Sequence, residues 1–215
     1  MKKFQFDSVG NFDSHISNSI HGYDLLDSLI MNICSFFAKN GETILDLGCS
    51  SGRLLVKLKG FNSNIKCIGY DIIDHNFLES KKVNLKHQDI TDKDFNLPSA
   101  NIIMSIFTLQ FLIYRDRVTL LKKIYDSLNR TGVFIVCEKE ISSIGIYQDV
   151  FTFANYDYKK SNFTSEEILQ KEFGLRTIMN CLSSGENERM FKESGFTRVE
   201  SFFQSLNFRG WLCMK

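Results

Sequence analysis

Glu42 to Arg53 reads ETILDLGCSSGR. Thr43 to Leu47 is a short apolar run of strand type that ends in Asp46-Leu47-Gly48. Cys49-Ser50-Ser51-Gly52 follows, and a helical pattern then opens at Arg53 and runs to Lys59. A strand that breaks into a glycine-bearing turn and opens a helix has the form of a nucleotide-cofactor loop. Its glycines let a ligand lie against bare backbone where a Cβ would collide. The spacing Gly48-x-x-x-Gly52, with Asp46 just before it, is not the G-x-G-x-x-G of the dinucleotide fingerprint. No Lys-Ser/Thr follows Gly52, which sets aside the phosphate P-loop.

Working outward, the chain alternates strands and helices. Lys66 to Asp71 (KCIGYD) is a second strand ending in an acid, and Asp71 lies 19 residues past Gly52. In nucleoside-binding α/β folds, an acid at this strand tip accepts hydrogen bonds from both ribose hydroxyls. A short helix is expected over Asp74 to Lys81, and a third strand over Val83 to Asp89 with Asp89-Ile90 at its tip. Asn101 to Ile106 is a continuous apolar run, as befits a strand covered on both faces. A helix follows over Asp116 to Asn129, closed by Thr131-Gly132, and a fifth strand over Val133 to Glu138.

From Ser142 to Ser184 the rhythm stops, and a helical insertion over the cofactor mouth is expected. Thr164-x-x-Glu167 there is a capping box that opens one helix. A helix over Glu186 to Ser194, a strand over Thr197 to Gln204, a turn at Asn207 and a strand over Phe208 to Met214 complete the chain. Two strands joined by so short a turn run antiparallel. Upstream of the first strand, Met1 to Ile20 reads as an irregular arm. The turn Ser19 to Tyr23 leads from it into a helix over about Asp24 to Lys39.

The expected fold is therefore an α/β, Rossmann-like, seven-stranded, mostly parallel sheet with helices on both faces and the last strand antiparallel. The helical insertion falls between the fifth and sixth strands. At 215 residues, 43% of them apolar and twenty of them Phe, one domain spanning 1–215 is expected. Residues 1–40 would form its N-terminal arm and helix, and 141–184 its lid. A net charge of +1 gives no overall field to attract nucleic acid or an acidic membrane. Six scattered cysteines without knuckle or redox spacing, several inside apolar strands, point to a reducing cytoplasm. No apolar stretch follows Met1-Lys2-Lys3, so no signal peptide is expected. The longest apolar run, Ile102 to Tyr114, is too short to span a bilayer. The four histidines show no metal-ligand spacing, and no metal is expected.

The Gly48-to-Gly52 loop resembles the first motif of class I S-adenosylmethionine (SAM) methyltransferases, whose cofactor carries no phosphate. Further stretches resemble a narrower family, the carboxy-SAM synthases. They are Phe12-Asp13-x-His15-Ile16, Ser19-Ile20-x-Gly22-Tyr23, Leu45 with Gly48-Cys49-Ser50, and Phe107-Thr108-Leu109-Gln110-Phe111-Leu112. Lys123-Ile124-Tyr125, Glu138-Lys139, Gly195-Phe196 and Phe203-Gln204-x-x-Asn207-Phe208 complete the set. The resemblance implies conversion of SAM to carboxy-SAM, with prephenate giving up a carboxyl group and leaving as phenylpyruvate. In the family a sulfonium ylide captures the CO2, and a dry, enclosed site protects it from water. In relatives carboxy-SAM goes to a second enzyme that modifies the wobble uridine of tRNA, so no direct nucleic-acid contact is expected.

Carried over, Tyr23, Gly48, Cys49, Ser50, Asp71, Ile72, Asp89, Ile90 and the position of Ile106 would contact SAM or carboxy-SAM. Arg189 falls where a guanidinium would pair with the new carboxylate. In the family that arginine comes from a neighbouring subunit, which implies a homodimer. Ile106 stands where the family has an Asn, and the segment between Asp71 and Asp89 is short. Both departures leave open an ordinary SAM methyltransferase acting on a small molecule or RNA. A non-catalytic SAM-fold subunit is the third alternative. No catalytic residue is legible, and nothing marks a base beside Cys49.

Overall fold

The computed structural model describes residues 12–74 and 77–215, with backbone alone for 12–14. Seven strands form one sheet: β1 (Thr43–Leu47), β2 (Lys66–Asp71), β3 (Asn84–His87), β4 (Ala100–Ile106), β5 (Leu128–Lys139), β6 (Arg198–Ser205) and β7 (Phe208–Met214). Their order is β3-β2-β1-β4-β5-β7-β6. β1 pairs in parallel with both β2 and β4, while β7 runs antiparallel to both β5 and β6. The strand order reverses between β1 and β4. That switch point opens a crevice at the carboxyl ends of the strands, where ligands of such sheets bind.

Side chains alternate along the strands and fill two cores. Leu45, Ile103, Phe134 and Val136 face one side, with Met190, Phe191, Phe196 and Trp211. Ile44, Ile102, Met104, Ile135 and Cys137 face the other, with Leu26, Ile30, Leu55 and Leu58. The first core is covered by α4 (Tyr114–Ser127) and α7 (Ser184–Glu193), the second by α2 (Tyr23–Phe37) and α3 (Arg53–Phe61). Because the period-2 strands β1, β4 and β5 are apolar on both faces, each side chain finds a core whichever way it points.

The insertion consists of two helices, α5 (Gly145–Lys159) and α6 (Ser165–Arg176). Thr164 and Glu167 form the expected capping box on α6. A second box, Ser183 with Glu186, opens α7 two residues earlier than the periodicity suggests. The insertion is fastened to the start of the chain: the Tyr158 hydroxyl donates to the Ser17 carbonyl at 2.9 Å.

Three expectations need correction. The first concerns the arm: Phe12–Ser19 is a helix, α1, and residues 1–11 of the expected arm lie outside the described residues. Its helical turns let Ile16 and Ile20 join the core beside α2, a tertiary gain that local polarity does not reveal. The second concerns Asp74 to Lys81, whose described residues carry no helix. A short segment links β2 to β3 there, and the Leu78 N–H donates to the Ser51 carbonyl at 3.0 Å. The third concerns Thr131-Gly132, which does not cap α4. The helix ends at Ser127, and a Cβ on Gly132 would lie 2.7 Å from the Asn101 carbonyl oxygen, so the glycine permits close approach of two strands.

Candidate active site

The cleft lies over the carboxyl ends of β1, β2, β3 and β4. Gly48 and Ser50, Asp71 and Ile72, Asp89 and Ile90, and Ile106 all line it. The first loop is fixed by its own backbone. The N–H groups of Gly48 and Cys49 donate to the Tyr70 carbonyl at 2.8 and 3.1 Å, and the Ser50 N–H donates to Asp71 Oδ2 at 2.8 Å. These amides are thus engaged internally rather than presented as an anion nest. The loop offers a shaped surface, which fits a cofactor without phosphate.

That surface depends on two glycines in the left-handed region, Gly48 at φ 81° and Gly52 at φ 79°. A Cβ on Gly48 would come within 2.2 Å of Thr108 Oγ1, so the loop and the end of β4 touch through bare backbone. Phe107, just before Thr108, itself adopts φ 57°. A bulky residue in this conformation stores about 1–2 kcal/mol. The kink turns the chain from β4 into the short 3-10 turn Leu109–Phe111, which supplies the fourth wall.

Asp71 reaches the loop and its own strand end together, Oδ1 accepting from the Ile73 N–H at 3.0 Å. Burial raises its carboxyl above the ordinary carboxylate value, opposed by these amides. Each oxygen retains lone-pair capacity for a ligand hydroxyl. Asp89 is exposed at the rim, where Oδ1 accepts from the N–H and hydroxyl of Thr91 at 2.8 and 2.7 Å. Asp46 is different. It is buried, its Oδ1 has no hydrogen-bond partner, and burial with the nearby Asp71 charge pushes its carboxyl up to about 7.

Three residues carried over by resemblance stand apart from the cleft lining. The Cys49 side chain turns into the sheet against Gly69, and burial raises its thiol well above the ordinary range. Tyr23 is half-buried, and its hydroxyl accepts from the Arg53 guanidinium at 3.2 Å. Arg189 is exposed on α7, outside the cleft. Conversely, Ile16, Tyr70, Phe107, Thr108, Phe111 and Leu112 line the cleft and were not assigned a binding role. The signal for Phe107 to Leu112 was present, since they follow the tip of a strand neighbouring β1.

The wall beyond β4 is braced from β5. Glu138 is buried, its Oε1 accepts from the Leu109 N–H at 3.1 Å, and Gln110 Oε1 accepts from the Lys139 N–H at 2.6 Å. Burial pushes the Glu138 carboxyl up to about 8 against the pull of Arg117 and the backbone amides of Leu109, Gln110 and Thr108.

Residues 45–136 match the methyltransferase-domain family. Solved structures share the fold: an O-methyltransferase from Nostoc punctiforme (TM-score 0.64, 16% identity, 88% of this chain and 57% of that one) and human N-acetylserotonin methyltransferase with SAM (TM-score 0.57, 14% identity, 88% and 55%). The chain spans only somewhat more than half of those proteins. Fold and cofactor loop together define a SAM-dependent transferase of class I methyltransferase architecture. Along nearly its whole length the chain is 32% identical to the carboxy-S-adenosyl-L-methionine synthase of Sulfurimonas denitrificans (100% of this chain, 95% of that one). It is 31% identical to that of Nautilia profundicola (100% and 95%) and 28% identical to that of Staphylococcus epidermidis (97% and 94%). The chain belongs to the carboxy-SAM synthase family, and SAM or carboxy-SAM is its cofactor.

Proposed function

We propose that this protein, in the cytoplasm, makes carboxy-SAM from SAM with prephenate as carboxyl donor, in support of wobble-uridine modification of tRNA by a second enzyme. The observation that carries the reading is the similarity to carboxy-SAM synthases over the full chain. SAM would supply the sulfonium methyl. Net, one methyl C–H becomes C–CO2⁻, while prephenate loses its ring carboxylate and its hydroxyl, the hydroxide leaving with the methyl proton as water.

The chain's own residues are suited to holding the two reactants. Asp71 would accept the ribose hydroxyls, and Asp89 the adenine amine. Gly48, Ser50 and Thr108 would shape the channel for the methionine part. The apolar wall of Ile16, Ile106, Phe107 and Phe111 would keep water from the reacting carbon. Among the described residues, no helix is long and apolar enough to cross a membrane. A homodimer is part of the proposal. Ile146, Tyr147, Val150, Phe153, Leu169 and Phe173 of the insertion are exposed, a surface that a second copy would cover. Arg189, off its own cleft, would serve a partner's site.

The test is the mass of the small molecule released from purified protein by mild denaturation, before and after incubation with SAM and prephenate. A species heavier than SAM by one CO2 is expected. Plain SAM or S-adenosylhomocysteine, with no heavier species, would overturn the proposal. It would favour an ordinary methyltransferase, the reading that the apolar Ile106 in the cofactor cleft supports.

A further inference from the structure

Beside the two-helix insertion lies a cavity of about 220 Å³ that shares no lining residue with the cofactor cleft. Its walls come from the end of β5, from α5 and α6, and from the turn before β7 that holds Asn207. Most of the polar side chains that line it are matched. Gln148 Oε1 accepts from the Ser142 N–H at 2.8 Å and from Asn207 Nδ2 at 3.3 Å, while Gln148 Nε2 donates to Thr152 Oγ1 at 3.0 Å. Glu172 accepts from Lys159 on one oxygen at 2.9 Å and from Lys139 on the other at 3.4 Å.

Three groups in the lining are left over. Asn155 is 3% exposed, and its Oδ1 has no hydrogen-bond partner. Glu140 is 7% exposed; its Oε1 accepts from Arg209 Nε at 2.9 Å, but its Oε2 has no partner. The third is Arg176, the exposed last residue of α6, whose guanidinium makes no hydrogen bond or ion pair among the described residues. Buried acceptors in native proteins are nearly always paired. Two of them in one cavity call for a donor, and a carboxylate oxygen calls above all for a cationic one. An unpaired guanidinium in the same lining suits a carboxylate. Ile141, Tyr156, Leu175 and Met179 give the cavity apolar surface as well.

We infer that this cavity binds a free α-amino acid with an apolar side chain. Its ammonium donates to Glu140 Oε2 and Asn155 Oδ1, its carboxylate accepts from Arg176, and its side chain packs on Leu175 and Met179. A zwitterion meets all three unmatched groups at once. A plain carboxylate leaves the two buried acceptors unmet, and a plain amine leaves Arg176 unmet. Lys139, Glu172, Leu175 and Met179 also line a smaller cavity behind the Phe107–Phe111 turn, and that cavity meets the cofactor cleft at Ile16, Phe107 and Phe111. The amino acid therefore sits one compartment away from the cofactor cleft. The inference does not rest on the proposed synthase reaction.

The experiment is equilibrium dialysis of L-leucine, L-methionine and L-phenylalanine against the full chain saturated with S-adenosylhomocysteine, which keeps the probes out of the cofactor cleft. At least one of the three should bind. Its analogues lacking the amino group or the carboxylate should bind about tenfold more weakly, as expected for a lost charged hydrogen bond. Glu140→Gln, Asn155→Leu and Arg176→Met should each cost about the same factor, with affinity for S-adenosylhomocysteine near wild type. Asn155→Leu also tells a ligand role from a structural one. It replaces an unpaired buried oxygen with apolar atoms, so the empty variant should melt no earlier than wild type, yet lose the rise in Tm that the amino acid gives wild type. Where Asn155→Leu melts early, Arg176→Met, at an exposed position, carries the test. No binding of any of the three at about 10 mM overturns the inference. So does binding seen only without S-adenosylhomocysteine, or binding that Arg176→Met leaves unchanged; the cavity then holds water alone.

Discussion

Replacing Gly48 with Ala should separate the two demands made on the cofactor loop. The backbone there sits at φ 81°, which an L-residue with a Cβ adopts at about 1–2 kcal/mol. The new methyl would also stand 2.2 Å from Thr108 Oγ1, 2.5 Å from its Cγ2 and 2.8 Å from its Cβ. Rotation about χ1 moves the first two atoms but leaves the Cβ in place, so part of the backbone must shift. Overpacking of this kind costs about 1–3 kcal/mol. The total is about 2–5 kcal/mol, equivalent to about 4–20 °C in the melting temperature of a chain this size. Thermal and urea unfolding of Gly48→Ala should show this loss, together with weakened SAM binding. Adding Thr108→Gly should recover the overpacking component and leave the backbone component. If Gly48→Ala unfolds within about 0.5 kcal/mol of wild type, the close approach of loop and β4 is not what shapes the site.

Three other perturbations probe separate parts of the molecule. Asp71→Ala removes an acceptor that serves both Ser50 and the proposed ribose contact, and SAM affinity measured by calorimetry should fall about 10- to 100-fold. The Asp46 carboxyl titrates at about 7 when folded against 3.8 as the ordinary value, so from pH 4 to 7 the folded chain holds a proton that the unfolded chain has released. Stability should therefore fall as pH rises through this window, by up to about 1.4 kcal/mol per unit, and urea midpoints of Asp46→Asn should lack this component. Lys123 donates to the carbonyls of Asp92, Lys93 and Phe95 at 3.1, 3.2 and 2.7 Å. Lys123→Met should destabilise the chain by about 1–3 kcal/mol and speed amide exchange between β3 and β4; exchange as slow as in wild type would contradict that bracing role.

The parallel sheet and its antiparallel last strand were legible because β1, β4 and β5 are apolar on both faces and Asn207 marks a turn too short for a crossover. The positions of Asp71 and Asp89 followed from strand ends. The helix α1 was not legible, because its stability comes from Ile16 and Ile20 meeting α2 rather than from local pattern. Where a helix is expected after β2, the described residues carry none, and the Leu78 N–H is held by the Ser51 carbonyl, a partner distant along the chain that local pattern does not reveal. The family-like motifs were visible as strings, but their reasons were not, since they lie in pairings distant along the chain. Tyr125 packs edge-on against Phe196 at 5.4 Å, and a Cβ on Gly195 would sit 3.0 Å from the Tyr125 ring. Phe107 meets Phe208 at 5.7 Å, and Glu138 with Lys139 secures the Leu109–Phe111 turn. Much of what reads as family signature is thus mutual bracing behind the cleft.

The reversed direction of β7 has a consequence for how the protein is made. Running against its neighbours, β7 starts at the cleft end of the sheet, and its first residue, Phe208, completes the wall beside Phe107. The Gly48–Gly52 loop leaves the ribosome well before Phe208, the residue that packs against Phe107. A nascent chain can therefore pair β1, β2 and β4 well before Phe208 reaches Phe107. Enclosure of this side of the sheet then awaits β7, the last strand in chain order.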